Sequence, residues 1–582
     1  MRLPLRRYLS LLVTYLKPQW GRTTLMALLL LVDVGLQLLN PQIVRYFIDT
    51  ALGGGPSLSL IYAAIFFIVV TILSQIVSVA AIYLSENVAW TATNQLRTDL
   101  VTHCLALDMA FHKEHPSGEL IERIDGDVDA LSNFFSKFVI NLLGNALMVV
   151  GVLILFFQIS WLVGTVMTAF SALVFAFLAL MGRCATPLWK VLRQVSADFS
   201  RFLGEHLVGT EDIRANGATE AIMLRFYRLV RRWQRANSKA EFITYFTGST
   251  LLFLFIVGSA LVLALGAYLW SIGAATVGTV YVMFNYTDKL ADPLDQMQQQ
   301  LQDLQQAEAC MQRIEELLHA QPTIVDGIVQ TLLPQGALSV ECCDVTFGYN
   351  IDEPILHALN FRVQAGKLLG IVGHTGSGKT TIARLLFRLY DLQVGEIRIG
   401  SVPIRTTSLQ QLEQRIGMVT QDVQLFQASV RDNLTFFDAS FQDEHIIDAL
   451  NDVGLSAWYS ALPQGLDTEI GANGEGLSAG QAQLLAFSRV LLTHPGLVIL
   501  DEASSRLDPA TEYLIERATR KLFASRTGVI IAHRLSTLQH VDDILVLENG
   551  HILEYGSREE LANDVNSYFA HLLRTGVEEI NV

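Results

Sequence analysis

Basic residues are scarce in this chain, and the places where they are missing altogether are informative. None occurs between Arg45 and Arg97, between Lys137 and Arg183, or between Lys239 and Lys289. Lys and Arg total 41 against 56 Asp and Glu, a net charge of -15. That balance argues against a nucleic-acid partner, whose binding surface would carry a basic excess. Cysteine is also sparse: Cys104, Cys184, Cys310, Cys342 and Cys343 form no CxxC and no metal spacing, so they read as reduced structural thiols. No small-residue cleavage site follows Arg2, Arg6 and Arg7. The expectation there is an uncleaved amphipathic helix over residues 1–17, lying in a membrane interface.

What fills the gaps between basic residues is apolar. The apolar fraction is 51%, and the excess lies in the first half of the chain. Runs at 21–49, 58–83, 139–157, 161–181, 245–270 and, less hydrophobic, 274 to about 294 are each long enough to cross a bilayer. Each basic-free gap is then one helical hairpin with a small outer loop. The basic residues fall in the stretches between hairpins, which puts those stretches, both termini and the C-terminal half on the cytoplasmic side. The stretches 97–137 and 183–239 carry helical periodicity, so the spans are expected to continue into the cytoplasm. Short connecting turns are expected within His115–Ile124 and Gly209–Gly217. Asp33, near Gln37 and Asn40, stands at a depth where a carboxylate is costly unless paired or facing a cavity, and both readings stay open. Arg45 and Asp49, one helical turn apart, are expected to pair.

A Gln- and Glu-rich helix over 296–318 and a linker marked by Pro322, Asp326-Gly327 and Pro334 close this region. The boundaries read as 18–318 for an all-α, six-span membrane domain, 319–337 for the linker, and 338–582 for an α/β domain. In the latter, the apolar run Leu368–Val372 leads into Gly373, His374, Thr375, Gly376, Ser377, Gly378, Lys379 and Thr380, followed by Thr381, which fits the phosphate-loop pattern. Leu497–Leu500 reads as a strand buried on both faces that delivers Asp501 and Glu502 to its carboxyl end, where open parallel sheets bind ligands. A triphosphate needs charge neutralisation and a positioned water. The glycines let backbone N–H groups approach it, Lys379 holds the outer phosphates, Thr380 and Asp501 serve Mg2+, and Glu502 is the candidate general base. The sequence Asp543–Gly550 followed by His551–Gly556 reads as a terminal hairpin with an Asn-Gly turn.

Leu477, Ser478, Ala479, Gly480 and Gln481 stand just before the Asp-Glu strand, Gln421 follows the apolar run Ile416–Val419, and His533 follows Val529–Ala532. Together these resemble the ATPase domain of ATP-binding-cassette (ABC) transporters, and the whole layout resembles a type I exporter half-transporter of the bacterial multidrug and lipid kind. The resemblance implies an α/β P-loop ATPase with a helical subdomain, fused behind the membrane domain. It implies that Tyr349 stacks on adenine, that His533 contacts the terminal phosphate, and that Gln421 links the Mg2+ ion to the connecting turns, which press on the ATPase. It further implies that Ser478 and Gly480 close over the nucleotide of a second half-transporter. ATP is then the nucleotide, the site is the bacterial plasma membrane, and the partners are membrane lipid and an unidentified amphipathic or apolar substrate.

Three departures bear on the partner: Ala479 replaces the first signature Gly, Arg506 stands where Ala is usual, and Ala472-Asn473 replace Glu-Arg. A heterodimer with one degenerate site is favoured on this ground. The alternative is a homodimer in which Ala479 is harmless, since Ala for Gly costs only about 1 kcal/mol where the backbone allows it. A competing function is a nucleotide-gated regulator or channel-like subunit on the same fold. Glu502 and His533 argue against it, because gating alone does not require fast turnover.

Overall fold

The computed structural model describes residues 15, 17–137, 143–326, 331–350, 352–471, 474–501, 509–532 and 536–575. The chain divides into two compact units, Met1–Leu105 with Pro116–Ala320, and Ala106–His115 with Gln321–Val582.

The first unit is helical. Its elements are α1 (Trp20–Leu52), α2 (Ser57–Ala106), then, beyond the Ala106–His115 segment, α4 (Asp127–Lys137), α5 (Asn145–Ile159), α6 (Trp161–Val208), α7 (Thr210–Ala215), α8 (Thr219–Ser271), α9 (Val277–Asp288) and α10 (Ala291–His319). The label α3 is kept for Met109–Glu114 of the other unit. Helices α2, α6 and α8 have 50, 48 and 53 residues. At 1.5 Å per residue each is about 70–80 Å long, more than twice a hydrocarbon core of about 30 Å. The expected extensions of the spans beyond the hydrocarbon core are therefore present. Among the described residues four helices are long and apolar enough to cross a membrane: Lys17–Leu52, α2, α6 and α8. The third expected span is represented by the 15-residue apolar α5, residues 138–142 lying outside the described ones. The sixth is not one straight run: it breaks at Lys289–Leu290, between α9 and α10. The interfacial helix over 1–17 lies almost wholly outside the described residues.

Of the two expected turns, the second is α7, within the expected stretch. The stretch expected to hold the first contains the short helix Ser117–Ile121. A further short helix, α3, lies just ahead of it: Asp108 accepts from the Phe111 N–H as N-cap, and His115, preceding Pro116, takes an extended conformation that ends the helix.

Small residues and polar clasps join the spans. A Cβ on Gly151 would meet a Leu38 methyl at 2.6 Å, and one on Gly258 the Phe170 ring at 2.6 Å. Buried Tyr286 donates from its hydroxyl to the Leu38 carbonyl (2.8 Å) and accepts from Gln42 Nε2 (2.9 Å). Arg45 and Asp49 do approach, at 3.7 Å. The shorter bonds to the Asp49 carboxylate come from Thr276 Oγ1 (2.8 Å) and the Gly278 N–H (3.0 Å), which tie α1 to the start of α9. Asp33 accepts from Gln37 Nε2 (2.9 Å) and from Ser74 Oγ on α2 (3.0 Å).

The second unit is α/β. A four-stranded antiparallel sheet has the order β2-β1-β4-β5, with β1 Val340–Phe347, β2 Leu356–Val363, β4 Val394–Ile399 and β5 Val402–Pro403. A six-stranded sheet has the order β12-β11-β3-β10-β9-β6. There β3 (Leu368–Val372), β6 (Ile416–Val419), β9 (Leu497–Asp501), β10 (Thr527–Ile531) and β11 (Asp543–Glu548) run parallel, while β12 (His551–Ser557) is the antiparallel edge, joined to β11 through Asn549-Gly550. Side-chain alternation explains why these strands are continuously apolar. Leu497, Ile499, Val529 and Ile531 enter one core, while Val498, Leu500 and Ile530 enter the other. The helices that flank the candidate site are α11 (Lys379–Leu386), α12 (Val430–Thr435), α13 (Asp443–Asp452), α14 (Ala479–Leu492) and α15 (Pro509–Phe523). A two-stranded ribbon pairs β7 (Ala428–Ser429) with β8 (Glu469–Ile470).

Candidate active site

Because β3, β6, β9 and β10 are parallel, the segments after them all leave the sheet at one edge. These are the 373–378 loop, the Gln421 segment and the segments beginning at Asp501 and Ala532. The loop is built for close approach. Gly378 has φ 105° and caps α11, where a Cβ would strike Leu356 at 2.5 Å; a Cβ on Gly373 would meet the Leu547 carbonyl at 2.1 Å. Lys379 folds back so that Nζ donates to the carbonyls of Gly373 (2.6 Å) and His374 (2.9 Å). Burial lowers the Lys379 ammonium below the usual lysine range, against the opposing pull of the Asp501 carboxylate. Thr380 is half-buried on the first turn of α11 and Thr381 is buried. The Ser377 hydroxyl is buried without a hydrogen-bond partner among the described residues, as suits a loop shaped to receive an acceptor. Thr375 and Gly376 are exposed, and His374 Nε2 lies 3.1 Å from the Tyr568 hydroxyl.

Asp501 is 2% exposed at the carboxyl end of β9. Glu502, Arg506, Ala472, Asn473 and His533 lie outside the described residues. With an oxygen from the Thr380 hydroxyl and one from the Asp501 carboxylate, the donor set suits a hard divalent cation such as Mg2+.

Gln421 is exposed, in the segment after β6. That segment is fastened to the helix that follows Ser478 by a residue the sequence reading did not single out, Arg489 of α14. Its guanidinium donates to the carbonyls of Asn433 (2.6 Å) and Gln424 (2.9 Å) and covers the Phe436 ring at 4.7 Å. Burial among carbonyls, with no carboxylate in contact among the described residues, brings it down to about 10. The available signal was a lone Arg in a helix otherwise buried along that face.

Ser478 and Gln481 form a capping box. Ser478 Oγ accepts from the Gln481 N–H (3.2 Å) and Gln481 Oε1 from the Ser478 N–H (2.9 Å). Ala479 is the first helical residue and exposed, so its backbone needs no glycine; Gly480 is buried and Leu477 half-buried.

Tyr349 is half-buried. Its hydroxyl accepts from Arg384 Nη1 (2.9 Å) and lies 3.4 Å from Thr381 Oγ1, and its ring stands edge-on to those of Phe347 and Tyr390. Lys113 of α3 places Nζ 3.8 Å from the ring centroid. Segment Ala106–His115 is pinned within this unit by the Asp108 carboxylate, which accepts from the Thr323 N–H (2.7 Å) and hydroxyl, and by the Tyr390 hydroxyl, which donates to the Met109 carbonyl (3.4 Å). No local sequence signal links positions 113 and 349.

Comparison with known proteins agrees with this arrangement. Residues 23–289 match the family model of the ABC transporter transmembrane region, and residues 356–505 match the ABC transporter model. An uncharacterized ABC transporter ATP-binding protein of Bacillus subtilis is 31% identical over 94% of this chain and 91% of its own length. An ATP-dependent lipid A-core flippase of Idiomarina loihiensis is 30% identical over 90% of each. A fatty acid ABC transporter ATP-binding/permease protein of Mycobacterium bovis is 30% identical over 80% of this chain and 74% of that protein. Among solved structures, a bacterial Atm1-family ABC exporter with ATP bound superposes with a TM-score of 0.79 at 26% identity, covering 96% of this chain and 98% of that one.

Proposed function

Because this chain belongs to the ABC transporter family, as a multi-pass exporter membrane region fused to its own ATPase region, we propose that it is one half of a dimeric pump that moves an amphipathic or apolar substrate out across the bacterial plasma membrane. The observation that carries this reading is the meeting of the phosphate loop, Asp501 and the Gln421 segment at one sheet edge, in a chain whose other unit holds long apolar helices. The names of the lipid A-core and fatty acid relatives support an amphipathic cargo, whatever the charge of its head.

In this reading ATP draws Lys379 off the loop carbonyls, since phosphate oxygens compensate its charge better than two carbonyl dipoles do. Backbone N–H groups of 373–378 and the start of α11 cradle the phosphates. The Thr380 hydroxyl, the Asp501 carboxylate and Gln421 would hold a divalent cation, which would supply charge neutralisation on the outer phosphates. Glu502 orients the attacking water and His533 contacts the terminal phosphate. The adenine stacks on Tyr349. Ser478 and Gly480 address the nucleotide held by the second half-transporter, and Arg489 makes the Gln421 segment and that signature helix move together. Segments α3 and α7 carry the closure to the spans, with the ATPase and both termini cytoplasmic, and the substrate path alternates its access.

A heterodimer remains the proposed assembly on the strength of Arg506 and Ala472-Asn473. The helical, exposed backbone at Ala479 lends weight to that substitution being tolerated.

The test is ATP hydrolysis by the detergent-purified chain, alone and with candidate partner half-transporters, comparing wild type with Glu502→Gln. Activity only with a partner, abolished by the substitution, supports the heterodimer. Activity alone, abolished by the substitution, makes it a homodimer. Activity indifferent to Glu502→Gln overturns the catalytic assignment.

A further inference from the structure

The exporter reading leaves the chemistry of the cargo open, and α1 carries a feature that speaks to it. Asp33, near the middle of α1, accepts one hydrogen bond on each carboxylate oxygen, from Gln37 and from Ser74. Both donors are neutral. Among the described residues no cation lies within ion-pair distance of Asp33; the nearest basic residues on the helix, Arg22 and Arg45, are each about 17 Å away along its axis. The facing part of α2 has no Lys or Arg before Arg97. The carboxylate is therefore hydrogen-bonded but not charge-compensated, at a depth where uncompensated charge is costly.

Asp33 belongs to a stripe. Gln37, Asn40, Val44 and Phe47 follow it at i+4, i+7, i+11 and i+14, one face of the helix. Asn40 Oδ1, about 10 Å further along, is buried with no hydrogen-bond partner among the described residues, an acceptor without a donor on the same face as the hydrogen-bonded Asp33. Beyond it the same face opens into a cavity of about 280 Å³ between α1 and α2, lined by Ile43, Val44, Phe47, Ala63, Phe67 and Ile68. Acceptors at one end and an aromatic, wholly apolar recess at the other form a complement to a molecule with the opposite arrangement: a positive head and an apolar body.

We propose that the cleft between α1 and α2 is a substrate site and that its occupant is an amphipathic organic cation, the cationic head between Asp33 and Asn40 and the apolar body against Phe47 and Phe67. This rests on the exporter reading and narrows it. It also separates this chain from a carrier of anionic amphiphiles, for which Asp33 would be repulsive.

Tetraphenylphosphonium and tetraphenylborate test it, because they are nearly isosteric and differ in sign. Binding of each to the full chain in nanodiscs, less binding to empty discs, is measured by equilibrium dialysis without nucleotide. The wild type is expected to prefer the cation at least tenfold. Asp33→Asn is expected to lose at least tenfold in cation affinity, and Asp33→Glu to restore most of it. Equal binding of the two ions by wild type, no binding of either, or unchanged cation affinity in a monodisperse Asp33→Asn protein overturns the proposal. Because the readout needs no ATP, those results leave the exporter reading standing; that reading falls separately, if the chain and its partners show no ATP hydrolysis.

Discussion

The same apolar residue types do opposite things in the two units. In the ATPase unit Ile530 is 2% exposed, closed in by a sheet covered on both faces; in the membrane unit Ile72, in α2, is 56% exposed. The first pattern is a core in water. The second is a surface whose solvent is hydrocarbon, where turning apolar side chains inward gains little, so the helices are held by close approach at small residues and by a few polar clasps. The ATPase unit thus concentrates its chemistry in loops on a rigid sheet, and the membrane unit spreads its cohesion over single contacts between helices far apart in sequence.

Substitutions can break or sharpen that contrast. The largest effect is expected from Lys379→Ala, which should lower ATP turnover by about a hundredfold or more, as loss of a preorganised charge does, while leaving membrane insertion intact; phosphate release by the chain assembled with its partner half-transporter checks it. Gly278→Val should act on the other unit. Its Cβ would meet Asp49 Oδ1 at 2.6 Å and the Arg45 carbonyl at 2.7 Å, so overpacking of about 1–3 kcal/mol is expected, read as a lower midpoint of thermal unfolding in detergent. If the midpoint is unchanged, the α1–α9 clasp contributes nothing. Arg489→Lys keeps the charge but cannot span two carbonyls and a ring, and a loss of comparable size, about 1.5–3 kcal/mol, is expected in the ATPase unit. Hydrogen exchange should rise in 421–436 together with α14; a rise in only one of them would refute the coupling.

The smallest effect concerns Asp108. Burial alone would raise its carboxyl, but hydrogen bonds from the Thr323 hydroxyl and N–H and from Phe111 outweigh it and hold it below the usual range. A carboxylate lowered on folding contributes stability above its unfolded value, lost as pH falls through the folded one. Segment 106–115 should loosen on acidification below about pH 4, and Asp108→Ala should remove that pH dependence at a cost of about 1 kcal/mol, followed by limited proteolysis.

Much of the ATPase unit was legible because its determinants are local. A buried parallel strand must be apolar throughout, a phosphate loop needs glycines at fixed places, and the Asn-Gly turn announces its hairpin. Four of the six expected membrane spans were legible as lengths of apolar chain between basic residues. The break at Lys289–Leu290 was not, since hydropathy averages over a turn, and α3 falls ahead of the expected stretch because its boundary is set by the Asp108 cap and not by the Pro116 signal alone. Asp49 and Arg45 approach as expected, but the shorter bonds to α9 are tertiary. Arg489 and Lys113 act on residues 56 and 236 positions away in the chain, by the numbering, and nothing near them in sequence records it.

The Lys113 ammonium on the Tyr349 ring has a consequence for what that ring can report. A base that takes this face competes with a cation already seated there, so apparent affinity falls by the fraction of time the face is covered. Adenine is the same in ATP and ADP. If adenine stacks on Tyr349 as proposed, an exchange there would register occupancy, not phosphate count: fresh and spent nucleotide would look alike to α3, and telling them apart would be left to the loop at Lys379.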